Sequence, residues 1–405
     1  MPSSFRKQIL APADAQRLAP ELSQSRSSRV WVYRYTHQVE PWTLSIATHA
    51  EPGSKRLSLG GFRIAPHERT SVPGFSTDHE AIDLAIGMEE KVFWSRLIRV
   101  GGPFAQRDFN RIVGGKCVLN PTPDARVGKP RDFELLDFAI ACLNDCETTA
   151  AIHITTGQDL GHGVMSDGRT HSLQYLNRGF AGSVVADTSQ PTAEGNFHTL
   201  RGMLHGLDID LGKATVGLIG CGNIGAHVAR RALDQKATVL GVEMNAERRA
   251  ALTRAGAEMF GAEAKKDLVR RQIDALVVNA SGGSLDASTV DAILDNRAIK
   301  VICGSENLAM PEPDDAERLR AAGRVYCPTE LGGMMGYLTA VEEYLSHLAG
   351  VPFDIETVNR AATRLEDAAS AATRRVREQG FEISFEQAVR ELYGPQSEAV
   401  ASVGG

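Results

Sequence analysis

"GLIGCGNIGAHVAR", residues 217–230, is the stretch that decides how this chain folds. An apolar strand pattern enters it and a helical pattern leaves it. Between them stand Gly220, Gly222 and Gly225 in the spacing G-x-G-x-x-G. A turn of this kind brings the backbone and the free N–H groups of a helix N-terminus within reach of a pyrophosphate, and side chains at the glycine positions would block that approach. Cys221, inside the turn, reads as a small filler. The next strand ends in Glu243, 23 residues after Gly220. An acid at that point hydrogen-bonds the ribose hydroxyls of NAD and repels the 2′-phosphate of NADP. Arg248 and Arg249 follow closely and are the groups that would hold such a phosphate instead.

Outward from the turn, short apolar strands recur at "DALVVNA", "IKVICGS" and "GRVYCP", separated by helical segments such as "DASTVDAILDN" and "EPDDAERLRAAG". Strands alternating with helices imply a parallel sheet covered on both faces. Residues 191–338 are therefore expected to form a Rossmann domain. Upstream, residues 30–190 form a second α/β domain. "TLSIATHA" and "RLSLGGFRI" alternate apolar and polar residues as half-buried strands do. "STDHEAIDLAIGMEEKVFW" has helical spacing, with Ala81, Leu84, Ala85 and Met88 on one face and Asp78 placed as a cap. "SRLIRVGGPFAQRDFN" reads as an irregular connection. "PRDFELLDFAIACLNDCE" is a second amphipathic helix, with Phe133, Leu136, Ile140 and Leu143 in one stripe. Residues 340–393 are helical and are expected to return to the first domain. Residues 1–29 and 394–405 read as weakly ordered.

The bulk properties narrow the function classes. With 405 residues, 42% hydrophobic and 23% charged, the chain is globular and long enough for two domains. A formal net charge of −6 argues against nucleic acid or an anionic membrane as partner. No apolar run approaches the ~18 residues of a membrane span, and the N-terminus lacks the apolar segment of a secretory signal. Six scattered cysteines with no C-x-x-C pair fit free thiols in a reducing compartment, hence the cytoplasm. Eleven histidines show no HxH or HExxH spacing, so no metal is expected. There is no G-x-S-x-G nucleophile elbow.

"RIVGGKCVL", residues 111–119, sets Lys116 behind two glycines in an apolar run. It is either a solvated lysine at a strand end or a lysine reaching into a substrate site that the glycines clear. Its neighbourhood in the sequence tips the balance. "LGGFR" (59–63), "GMEEK" (87–91), "VGGK" (113–116), "GQDLG" (157–161), the glycine turn, "ASGG" (280–283), "GSEN" (304–307) and "AVEE" (340–343) occur in one order. In that order the chain resembles the Glu/Leu/Phe/Val amino-acid dehydrogenase superfamily, in its leucine/phenylalanine dehydrogenase-like branch, over roughly residues 30–345.

The resemblance implies NAD-dependent oxidative deamination of an L-amino acid, or reductive amination of the 2-oxo acid, in a homo-oligomer with its active site between two domains. It makes Lys116 the catalytic lysine and Asp159 its partner in proton transfer. Lys91 would grip the substrate carboxylate. Gly60 and Gly61 would border the substrate, and Leu59, Met334 and Tyr337 would line an apolar or aromatic side-chain pocket. Gly220, Gly222, Asn223, Ile224, Gly225, Glu243, Ala280, Asn307 and Thr192 would contact NAD. The residue types suit the reaction, because a lysine desolvated in a cleft can fall toward a neutral pKa and exchange protons with water.

The chain also departs from the pattern. Lys91 and Lys116 are 25 positions apart, about double the family spacing, which makes 95–110 an insertion. Val113 stands for the first glycine of "GGGK". "GMMG" (333–336) replaces "NAGG", and Leu308 replaces the second asparagine of "ANN". Two other functions stay open on these grounds: a different NAD-dependent oxidoreductase, or a catalytically silent NAD-binding sensor subunit.

Overall fold

The computed structural model describes residues 5–25 and 27–394. The chain divides into two units. The first comprises Met1–Phe93, Gly101–Thr188 and Gly336–Val358; the second comprises Trp94–Val100, Ser189–Met335 and Asn359–Gly405.

The first unit is built on a six-stranded mixed sheet of β1 (Phe5–Leu10), β2 (Trp31–His37), β3 (Thr43–Thr48), β4 (Leu57–Ile64), β5 (Ile112–Asn120) and β6 (His153–Gly157), in the order β1-β2-β3-β5-β4-β6. β4 runs parallel to both β5 and β6, and β1, β2 and β3 pair antiparallel. Successive strand residues face opposite sides. Val118 therefore joins Ala81, Ile82, Leu84 and Ala85 of the helix Thr77–Ile98 in one cluster. Phe62, Cys117 and Leu119 meet Leu136, Ala139, Cys142 and Leu143 of the helix Asp132–Ala150 in another. Each fully buried Leu, Ile or Phe contributes about 1.5–3 kcal/mol, so the two helices fix which face of each strand is core.

The second unit carries β7 (Thr215–Ile219), β8 (Thr238–Val242), β9 (Glu258–Phe260), β10 (Ala275–Val278), β11 (Val301–Gly304) and β12 (Val325–Tyr326), in the order β12-β11-β10-β7-β8-β9. All pairs are parallel, with Val216 beside Ala275 and Val239. This is the doubly wound Rossmann arrangement, and its order reverses at β7, whose end carries the glycine turn. Central strands such as "ALVV" are buried on both faces, which explains their unbroken apolar character.

Several expectations give way. Residues 5–25 are ordered: β1 pairs with β2 over six residues, Phe5 stacks edge-on to Tyr35 at 5.2 Å, and Ala15, Ala19 and Leu22 are fully buried. The polar composition hid these few apolar anchors. At the other end, residues 395–405 lie outside the described residues. The supposed irregular connection at 95–110 is mostly helix, because the helix from Thr77 runs to Ile98 and a second one spans Pro103–Asp108. Asp78 does not cap: it is buried within the helix, where it accepts from Ser45 Oγ at 2.5 Å and pairs with Arg34. In the helix Asp132–Ala150, Leu136 and Leu143 are buried as expected, together with Leu135, Ala139, Cys142 and Cys146, whereas Phe133 and Ile140 lie at the margin.

The C-terminal helices also divide. Residues 336–358 belong to the first unit, whereas the helix Thr363–Glu378 packs on the helix Ser189–Gly206 within the second. Gly202 permits that approach, since a Cβ there would lie 2.3 Å from the Glu366 carbonyl oxygen. All six cysteines are buried free thiols. Among the described residues no helix is long and apolar enough to cross a membrane.

Candidate active site

In the second unit, Gly220 has φ +83°, and a Cβ on it would meet Ala280 N at 2.7 Å. A Cβ on Gly225 would meet the Gly220 carbonyl oxygen at 2.0 Å. Gly225 thus closes the turn on itself, and Gly220 lets it pack against the backbone that follows β10. Gly222 caps the helix Asn223–Asp234 and is different: the nearest atom to a Cβ there is Arg248 Nη1, at 3.4 Å. The open side of the turn therefore lies at Gly222, Asn223 and Ile224, where the first N–H groups of a helix have no intrahelical partner. A dinucleotide pyrophosphate fits this cradle. Glu243 directly follows β8, and its carboxylate accepts from Cys221 N and Asn245 N, each at 2.9 Å. It thus holds a negative charge against the turn. Arg248 reaches Asn223 Oδ1 at 3.3 Å, while Arg249 donates to the Glu243 and Met244 carbonyls.

The neighbouring loops of this unit are tied by Glu306, a residue that sequence reasoning passed over. Its buried carboxylate accepts from Ala280 N (2.9 Å), Gly282 N (3.1 Å) and Ser284 N (2.8 Å). Ala280 thus has a structural partner for its N–H. Asn307 is half-buried beside it. Leu308 takes φ +54°, a conformation that asparagine tolerates better than leucine. Thr192 is buried in the helix Ser189–Gly206, where its carbonyl accepts from Asn196 Nδ2.

In the first unit, Lys116 and Asp159 meet. Lys116 is central in β5 and 5% exposed; Asp159 stands two residues past β6, and its Oδ2 pairs with Lys116 Nζ. Asp159 Oδ1 accepts from Leu160 N at 2.6 Å and from Arg63 Nε and Nη2 at 3.3 and 3.2 Å. Arg63 in turn donates to Glu80 Oε1 at 2.6 Å. Burial lowers the pKa of Lys116 below that of an ordinary lysine; Asp159 opposes the shift and Arg63 adds to it. Burial alone would raise Asp159, yet Arg63 and Lys116 together hold its carboxyl well below the usual range. His162, close by, is bracketed by the Phe62 carbonyl (Nε2, 2.7 Å) and the Ser172 hydroxyl (Nδ1, 2.9 Å). Its Nε2–H therefore donates, and burial pushes its pKa down to about 4, so the ring is neutral.

The depressed Asp159 value has a measurable consequence. The unfolded carboxyl titrates near ~3.9, above its folded value. Asp159 therefore stabilises the fold above that pH, and the contribution is lost as pH falls below it. In urea unfolding, the stability difference between the wild type and Asp159→Asn is expected to shrink steadily from about pH 5 to pH 3. A difference constant over this range would contradict the assignment.

Gly61 faces this pair directly, for a Cβ on it would lie 2.9 Å from Lys116 Nζ and 3.2 Å from Asp159 Oδ2. The glycines beside Lys116 do not clear substrate space as expected. A Cβ on Gly114 would strike Glu89 N of the packed helix at 2.3 Å, and one on Gly115 would strike Ser58 Oγ at 2.2 Å. Both are packing glycines, and Glu89 adds a 2.6 Å hydrogen bond from Gly114 N. Lys91 is buried on the same helix as Glu89. Leu59, Gly61 and Arg63 alternate along β4 on the face that carries Lys116; Leu59 is fully buried, and Gly60 packs against the Gly115 carbonyl. Met334 and Tyr337 are buried on the helix Met334–Leu348. Arg63 and Glu80 are charged members of this cluster that the sequence reading missed, although Arg63 stood two residues after Gly61.

No family model matches the chain. Valine dehydrogenase of Streptomyces albus is 26% identical over 200 residues, which are 49% of this chain and 52% of that protein. Valine dehydrogenase of Streptomyces coelicolor is 25% identical over 200 residues, with the same shares. The chain thus spans about half the length of the curated relatives it matches. Among solved structures, L-tryptophan dehydrogenase from Nostoc punctiforme superposes with a TM-score of 0.60 at 18% identity, covering 87% of this chain and 91% of that one. The hetero-hexameric glutamate dehydrogenase from Thermus thermophilus gives 0.63 at 16% identity, covering 96% and 86%. The fold is that of an α/β dehydrogenase with a Rossmann unit. Within that class, about half of the chain is similar in sequence to valine dehydrogenases, and the fold is shared with tryptophan and glutamate dehydrogenases.

Proposed function

We propose that this protein catalyses the NAD-dependent oxidative deamination of an apolar or aromatic L-amino acid to its 2-oxo acid and ammonia, or the reverse reductive amination. The observation that carries the reading is the buried Lys116–Asp159 pair, in which a lysine lowered by burial sits beside a carboxylate held ionised. The dinucleotide would lie on Gly220, Gly222 and Gly225, and when bound would supply the hydride acceptor for the substrate Cα. Glu243 favours NAD over NADP, since its carboxylate would repel a 2′-phosphate.

The protein residues handle protons. Hydride loss leaves an electrophilic iminium carbon on the substrate. Neutral Lys116 accepts a proton from the attacking water, and the ammonium form returns it to the departing amine. Asp159 stabilises the charged lysine and orients its Nζ. Lys91 would pair with the substrate carboxylate, and Leu59, Met334 and Tyr337 would supply apolar surface to its side chain. Six buried free thiols fit a cytoplasmic site of action, and assembly into a homo-oligomer completes the proposal.

The test is NADH formation, followed by absorbance, with the apolar and aromatic L-amino acids, and NADH consumption with the matching 2-oxo acids plus ammonia. Turnover with NAD well above that with NADP is expected. Tight NAD binding with no turnover across the panel would replace the enzyme with a sensor.

A further inference from the structure

We propose that Arg63 is a positioning residue which, anchored by Glu80, fixes the Asp159 carboxylate against Lys116 and so sets the pH at which Lys116 accepts a proton. The inference rests on the catalytic reading of Lys116 given above.

Arg63 is 3% exposed on its side chain and spans two acids from different elements. Its Nη1 holds Glu80 of the helix Thr77–Ile98 at 2.6 Å, and its Nε and Nη2 edge holds Asp159. Asp159 lies in a loop rather than in a strand, so the backbone alone fixes its side chain poorly. Three donors converge on its Oδ1: Arg63 Nε, Arg63 Nη2 and Leu160 N. Oδ2 is thereby left for Lys116. Glu80 does not swing away either, because Arg69 Nη1 holds the same Oε1 at 3.3 Å. The chain Arg69–Glu80–Arg63–Asp159–Lys116 thus alternates in charge from a part-exposed arginine to a buried lysine. A guanidinium suits the middle position, since its planar fork presents separate edges to two carboxylates.

The elements packed against Lys116 carry these other ionisable groups: Glu89 and Lys91 on the helix, Cys117 next to it on β5, His162 past β6, and His49 just past β3. His162 and His49 are each pushed down to about 4 by burial, and Cys117 is pushed up to about 12. All three are therefore neutral between pH 6 and 10, and none of them sets the pH response in that range. With Arg63 gone, Asp159 would bind the lysine proton more tightly, and Lys116 would need a higher pH to become a base.

The experiment compares Arg63→Gln, Arg63→Lys and the double variant Arg63→Gln/Glu80→Gln, which leaves no unpaired acid. Two profiles are read between pH 6 and 11: kcat/KM for oxidative deamination, and the rate of Lys116 acetylation by acetic anhydride, quantified on the Lys116 peptide by mass spectrometry. In Arg63→Gln and in the double variant, both midpoints are expected to move up by about one pH unit or more. Arg63→Lys should restore them. Unmoved midpoints, with kcat lowered equally at every pH, would overturn the proposal. A shifted acetylation midpoint in a protein that turns over no amino acid would uphold the hold of Arg63 on Lys116 and overturn the catalytic reading instead.

Discussion

Lys116→Ala is expected to lower turnover by about 10³-fold or more, the scale of a lost general acid–base residue, while NADH affinity changes less than about twofold. The two effects separate because Lys116 lies in the sheet of the first unit and the glycine turn in that of the second. The substitution also leaves Asp159 with Arg63 as its cationic partner, so the pocket loses one charge but does not strand an acid. Lys116→Met keeps most of the side-chain volume and is the companion that separates chemistry from packing. NADH fluorescence titration and stopped-time assays of both variants read the result. Either variant working within tenfold of the wild type would remove Lys116 from the mechanism.

The second large effect is expected at the glycine turn. In Gly225→Ala the new Cβ would lie 2.0 Å from the Gly220 carbonyl oxygen, well inside contact distance. The atoms in the way are backbone, so the turn must open rather than a side chain rotate. NADH affinity should fall by about 30-fold or more, and the melting temperature by several degrees for a strain of about 1–3 kcal/mol. Lys116 acetylation should be unaltered. Isothermal titration with NADH against thermal unfolding distinguishes the outcomes, and undiminished affinity would mean that the turn does not hold the dinucleotide.

Much of this was legible in the sequence, for reasons that can be named. The Rossmann unit announces itself because parallel strands are buried on both faces, and the turn needs glycine at fixed offsets. Lys116 and Asp159 were found through the order of short motifs, and the structure brings them together. Arg63, Glu80 and Glu306 were not found. Each is a charged residue whose partners lie elsewhere in the chain, or are backbone N–H groups that carry no sequence signature. The glycines at 114 and 115 were assigned to substrate because the groups that pack on them, Glu89 of the helix and Ser58 of β4, lie far upstream in the chain. Periodicity finds a face but does not say what covers it. The N-terminal segment escaped for a related reason: two buried alanines, one buried leucine and one phenylalanine suffice to anchor a stretch whose composition is polar.

Glu342 constrains how this chain could be rebuilt. Its carboxylate is buried, with a pKa raised by that burial, and it accepts from Phe104 N at 3.0 Å and Ala105 N at 2.9 Å at the start of the helix Pro103–Asp108. The adjacent Glu343 serves Val185 N and Ala186 N in the same way, at 3.1 and 2.9 Å. The segment around 99–110 is therefore not a detachable ornament. An engineer who removed it would leave a carboxylate in the core with nothing to bind. Such a deletion would require an apolar residue at 342 in the same step. Gly102 would have to be reconsidered too, since it is the residue that lets the acid approach so closely.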